Sequence, residues 1–119
     1  MLNQIVLVGR LTNEVNLKKT ENDKNVANIT LAIPRSFKNI NGTYDTDFID
    51  CVLWDSVATN TAEYCNKGDI VGIKGRMQSR VLETEKEKKY ITEIIAEKVT
   101  FLYSKNQEKN KNSKGKEER

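Results

Sequence analysis

Aromatic rings set among cations are the side chains of this sequence best suited to chemistry. In "DFIDCVLW", residues 47–54, period-two alternation puts Phe48, Asp50, Val52 and Trp54 on one face of a strand and Ile49, Cys51 and Leu53 on the other. The second set is an ordinary core face, so Phe48 and the chain's only tryptophan stand on a spare, solvent-facing side. Phe37 lies between Arg35 and Lys38 in a polar stretch, and Lys74, Arg76, Gln78 and Arg80 are spaced evenly for one face of a later strand. Rings and cations in this mixture suit an unpaired nucleic-acid strand. Every base has a π face on which an aromatic ring stacks regardless of sequence, while lysine and arginine follow the phosphates. A one-residue slip of the strand would exchange its two faces and bury Phe48 and Trp54.

Catalysis has little to work with. The sequence holds no histidine, no Gly-x-Ser-x-Gly, no phosphate-cradling glycine loop and no HExxH. Asp45, Asp47 and Asp50 together suggest a magnesium site, but carboxylates at the start of a strand are commonly solvated. Cys51 and Cys65 lack CxxC spacing and read as small buried hydrophobes in a reducing compartment. The chain reads as a binding protein, not an enzyme, with no metal and no cofactor.

These side chains need a scaffold. "NQIVLVGRL" (3–11) alternates around Gly9, which suggests a bulge or sharp bend, and "EVNLKKTENDKN" is a polar continuation and turn. "VANITLAIP" (26–34) is a second strand stopped by the only proline, and residues 35–46 form a loop with Asn41-Gly42 as its turn. Residues 47–54 make the third strand. Asp55 or Ser56 caps a short helix through Val57, Ala58, Thr61, Ala62 and Cys65, which Lys67-Gly68 ends. "DIVGIKGRMQSRVL" (69–82) is a fourth strand kinked at Gly72 or Gly75, "ETEKEKK" a charged loop, and "YITEIIAEKVTFLY" (90–103) a fifth strand. Tyr64, Phe101 and Tyr103 are assigned to packing. Five strands with one helix between the third and fourth give an all-β, five-stranded Greek-key OB-fold barrel, and an SH3-type barrel is the nearest alternative.

At 119 residues the chain is one domain with a tail. The body, 1–103, is formally neutral, with fourteen basic and fourteen acidic residues. Residues 104–119 hold six basic and three acidic residues, which is the whole excess of +3. They lack apolar side chains and read as a disordered basic tail. No stretch reads as a secretory leader or a membrane span, so the expected location is cytoplasmic and nucleoid-associated.

Four blocks in order, "NQIVLVGRLTNEVNLKKT", "VANITLAI", "DFIDCVLWDSVA" and "KGDIVGIKGRMQSR", closely resemble the bacterial single-stranded DNA-binding protein family. The resemblance runs from about Met1 to Tyr103. It implies an OB-fold homotetramer around which single-stranded DNA wraps in replication, recombination and repair. It puts Phe37, Phe48 and Trp54 at base-stacking positions and Lys18, Lys67 and Arg80 at basic positions. Leu82 departs from the pattern, standing where the family commonly has another stacking ring, and Asp50 and Asp55 add negative charge beside Phe48 and Trp54. The family's acidic tip ending in Ile-Pro-Phe is missing from "KGKEER", which puts recruitment of replication or repair proteins through such a tip in doubt and suggests a shortened form or a phage- or plasmid-encoded variant. Two other readings compete: a primosome-type OB accessory protein that recruits proteins on single-stranded DNA, and an interaction module whose aromatic face meets a protein partner.

Overall fold

The computed structural model describes residues 1–104, so the tail expected over 104–119 lies, apart from Ser104, outside the described residues. The elements are β1 (Ile5–Leu11), β2 (Asn16–Lys19), β3 (Asn25–Lys38), β4 (Tyr44–Trp54), α1 (Asp55–Tyr64), β5 (Ile70–Glu83) and β6 (Lys88–Tyr103). They form one sheet in the order β1-β5-β6-β4-β3-β2, which closes into a barrel where β1 also pairs with β3. β1 and β2 run along the same partner, Leu11 opposite Leu31 and Asn16 opposite Asn28. The first strand of the OB barrel is thus one strand interrupted at residues 12–15, and the polar continuation read from the sequence is its second half.

Alternation accounts for the core. Leu11, Ala27, Ile29, Leu31, Cys51, Leu53, Val71, Ile73 and Ala96 point inward and are buried, and Ala58 of α1 closes one end of the barrel with Cys65. Both cysteines are free thiols. Burial pushes the Cys51 thiol up to about 11, with the Asp50 charge adding to it, and burial raises Cys65 as well. Both thiols are therefore poor nucleophiles at neutral pH.

Several local expectations are corrected. Proline does not end the second strand, because β3 passes through Pro34 to Lys38. Pairing with β1 stops at Ala32, so Pro34 has only β4 beside it, an edge position where a missing N–H is tolerated. The loop at 35–46 shrinks to a turn over residues 39–43, with Gly42 at φ +80, so Arg35 and Phe37 lie on a strand. Gly9 carries no bulge, since β1 stays in register with β5 through it. Its role is close approach: a β-carbon there would sit 2.8 Å from Ile33 Cγ1 and 3.0 Å from the Ala32 carbonyl oxygen. The kink in β5 falls at Gly75, where the register with β6 shifts and a β-carbon would run into the Ile95 carbonyl.

The helix starts differently too. Trp54 is its N-cap, in extended geometry and without a side-chain cap bond, so neither Asp55 nor Ser56 fills that role. Cys65 ends the helix, and Gly68, at φ +95, turns the chain toward β5. The aromatics assigned to packing are more open than the sequence suggests. Tyr64, Phe101 and Tyr103 are all exposed: Phe101 stands opposite the core residue Val71, but residues 100–103 at the end of β6 are open on both faces.

Candidate nucleic-acid interface

The outer face of β4 decides the question raised by its sequence. Cys51 and Leu53 are fully buried, whereas Phe48 is 66% and Trp54 37% exposed, so the strand has not slipped. The two rings belong to positions roughly 20 Å apart along β4. Between them Val52 is half-buried, and Asp50 accepts a 2.6 Å hydrogen bond from Thr30 Oγ1 on β3.

Pairing sets the neighbours of each ring. Phe48 stands opposite Ala32, which in turn opposes Arg10 of β1. Trp54 stands opposite Val26, which in turn opposes Lys18 of β2. Across the middle of the face run Arg76, Ile95, Val52 and Asn28 on β5, β6, β4 and β3. These pairings put Trp54, Phe48 and Arg76 on one side of the sheet, with half-buried Val52 and buried Ile95 between them. The exposed Phe37 lies apart from them, in the stretch between Pro34 and Lys38 where β3 and β4 lose register. Lys38 beside it has its ammonium 6.0 Å from the Tyr44 ring centroid.

The six cations expected to meet phosphates divide into two groups. Lys18, Lys67 and Lys74 are exposed, and among the described residues their ammonium groups form no ion pair. The three arginines are each held by carboxylates. Arg35 donates to Asp47 through Nε and Nη2 and lies 3.7 Å from Asp45. That contact raises the guanidinium above its usual range and holds the Asp47 carboxyl below the usual range for aspartate. Arg76 lies 3.4 Å from Glu97 and donates to Gln78 Oε1 at 2.6 Å, and Arg80 is paired with Glu93 at 2.9 Å. The three carboxylates of this stretch are engaged, Asp45 and Asp47 with Arg35 and Asp50 with Thr30.

Leu82, opposite Lys89, is 42% exposed on the long hairpin of β5 and β6 that projects beyond the barrel. It is a surface aliphatic where an aromatic would have had room to stack. Sequence reasoning missed the surroundings of Trp54. The turn from β2 to β3 brings Thr20, Asn22 and Lys24 against Trp54 and Asp55 around an open recess of about 360 Å³. Its nearness to Trp54 follows from the pairing of Val26 with Trp54, because Val26 is only two residues past Lys24.

A closed OB barrel with an aromatic and basic outer face agrees with what the sequence is similar to. The model of the single-strand binding protein family matches residues 2–102, and the chain belongs to that family. It is 46% identical over 110 residues to the single-stranded DNA-binding protein B of Bacillus subtilis (strain 168), covering 92% of this chain and 97% of that one. It is 42% identical over 116 residues to the single-stranded DNA-binding protein 3 of Streptococcus agalactiae serotype V, covering 97% of this chain and 84% of that one. With the single-stranded DNA-binding protein of Bacillus cereus the identity is 45% over 107 residues, covering 89% of this chain and 63% of that longer one.

Proposed function

We propose that this protein binds single-stranded DNA without strict sequence preference and coats it during replication, recombination and repair, without enzymatic chemistry of its own. The observation that carries the reading is the outer face of β4, which presents Trp54 and Phe48 to solvent from a strand whose inner residues Cys51 and Leu53 are fully buried. Membership of the single-strand binding protein family, and relatives named for binding single-stranded DNA, support it. Phe37, Phe48 and Trp54 stack bases. Lys18, Lys67 and Lys74 meet phosphates directly, and Arg35, Arg76 and Arg80 do so once they exchange a carboxylate for a phosphate.

The working unit is a homotetramer. Among the described residues, Ile5–Gly9 of β1 pair along one edge only, with β5, and Val6 and Val8 are exposed there. An open strand edge beside apolar side chains is best covered by another copy of the chain. The test is titration with oligo-dT, followed by the fluorescence of the single tryptophan. Strong, saturable quenching is the expected result. A titration that leaves the emission unchanged, with no binding by an independent mobility assay, overturns the reading.

A further inference from the structure

Arg10 is a cation of the outer face that the sequence pattern does not single out. It stands on β1 opposite Ala32 of β3, and Ala32 stands opposite Phe48 of β4. The same order recurs at the other end of the face, where Lys18, Val26 and Trp54 oppose one another across β2, β3 and β4. Directly opposed residues of antiparallel strands share a face of the sheet. Each ring therefore has a cation on its own side, two strands away, with backbones about 10 Å apart. The residue between them is an uncharged aliphatic in both cases. On β4 itself the position between the rings belongs to Asp50, whose carboxylate repels phosphates and leaves the β1 and β2 side as their path.

Arg10 also differs from the other arginines among the described residues. Arg35, Arg76 and Arg80 meet Asp47, Glu97 and Glu93, whereas Arg10 is exposed and forms no ion pair. Its side chain makes a single hydrogen bond there, from Nη1 to the Gly68 carbonyl at 2.9 Å. The turn at Gly68 is held without that bond. Gly68 N–H donates to the Leu11 carbonyl and Leu11 N–H to the Asp69 carbonyl, both at 2.8 Å, and Asn66 N–H donates to Asp69 Oδ2 at 2.8 Å. A guanidinium has five N–H donors, and a neutral carbonyl holds one of them less strongly than a carboxylate does. We propose that Arg10 binds the backbone phosphate of the nucleotide stacked on Phe48, the role that Lys18 has beside Trp54. The face then grips a strand through two ring-and-cation pairs. The proposal rests on the single-stranded DNA reading above and supplies a phosphate contact for Phe48.

The experiment titrates oligo-dT at several salt concentrations and follows tryptophan quenching. Arg10→Gln removes the charge but keeps a side-chain donor for the Gly68 carbonyl. It should weaken binding and lower the magnitude of the slope of log affinity against log salt by about 0.7, one phosphate contact to a single strand. Arg10→Lys keeps the charge and should keep the wild-type slope. Combining Arg10→Gln with Lys18→Ala should lower the slope by about twice the single loss, because the two cations serve different phosphates. The thermal midpoint of Arg10→Gln should match that of the wild type, since the turn has its own backbone bonds. An unchanged slope in Arg10→Gln overturns the inference. An equal loss of slope in Arg10→Lys overturns it as well, because the effect would then not follow charge. Wild-type binding with either of these results leaves the single-stranded DNA reading standing, whereas no binding by the wild-type protein removes both.

Discussion

Lys18 stands across Val26 from Trp54 with its ammonium unpaired among the described residues, whereas Arg80, on the hairpin of β5 and β6, is held by Glu93 at 2.9 Å. The two ends of the outer face therefore carry cations in different states. At the Trp54 end an aromatic ring adjoins a free charge. Along β5 and β6 each arginine already has a carboxylate where a phosphate would go, and no ring occupies position 82. Counting cations thus overstates the attraction of the hairpin for DNA. An incoming phosphate gains only the difference between its own contact and the carboxylate it displaces.

The largest expected effect breaks the stronger end. Trp54→Ala should weaken single-stranded DNA binding by about 1–3 kcal/mol, the usual worth of one stacked base. The thermal midpoint should change far less than in Leu53→Ala, which opens a cavity in the fully buried core and should cost about 2–5 kcal/mol of stability. An unfolded Trp54→Ala protein would mean that the ring is part of the core.

A smaller effect separates the two ends by salt dependence. Each phosphate contact to a single strand contributes about 0.7 to the slope of log affinity against log salt. Lys18→Ala should lower the magnitude of that slope by about this amount, and Arg80→Ala by clearly less. Glu93→Gln should release Arg80 and steepen the slope. Equal losses for Lys18→Ala and Arg80→Ala would show that the carboxylate does not mask the arginine.

The smallest effect concerns the pair at Arg35. Its guanidinium holds the Asp47 carboxyl below the ordinary value of 3.8, so the pair contributes above the unfolded pKa and is lost as pH falls through the folded one. Carboxyl-carbon NMR should find Asp47 titrating below 3.8 in the wild type and returning toward it in Arg35→Ala. Both groups are solvent-exposed, so the melting temperature should barely move. Unchanged titration in the variant would show that the pair does not persist in solution.

Much of the fold was legible because its strands alternate. The buried trio Ile29, Cys51 and Leu53 and the outward pair Phe48 and Trp54 can be read from period two alone, and the helix after the third strand identifies the barrel type. Local punctuation was harder. Proline and glycine mark where a backbone is constrained without saying by what: Pro34 sits inside β3, and Gly9 serves close approach instead of a bulge. The exposure of Phe48 and Trp54 was legible for the same reason as the core, since a large apolar side chain on the polar face of a strand breaks the pattern.

By itself, then, the sequence determined which face of each strand looks inward, because side-chain direction is a local property repeating every two residues. It also determined the set of cations and rings available on the outside. Only the tertiary structure decided which of those cations are free. Arg76 meets Glu97, Arg80 meets Glu93 and Arg35 meets Asp47 through strand register, which depends on turns and bulges between distant residues. The recess at Trp54 has the same origin. Its residues from the β2–β3 turn lie some thirty positions before Asp55, and the pairing of Val26 with Trp54 brings them together.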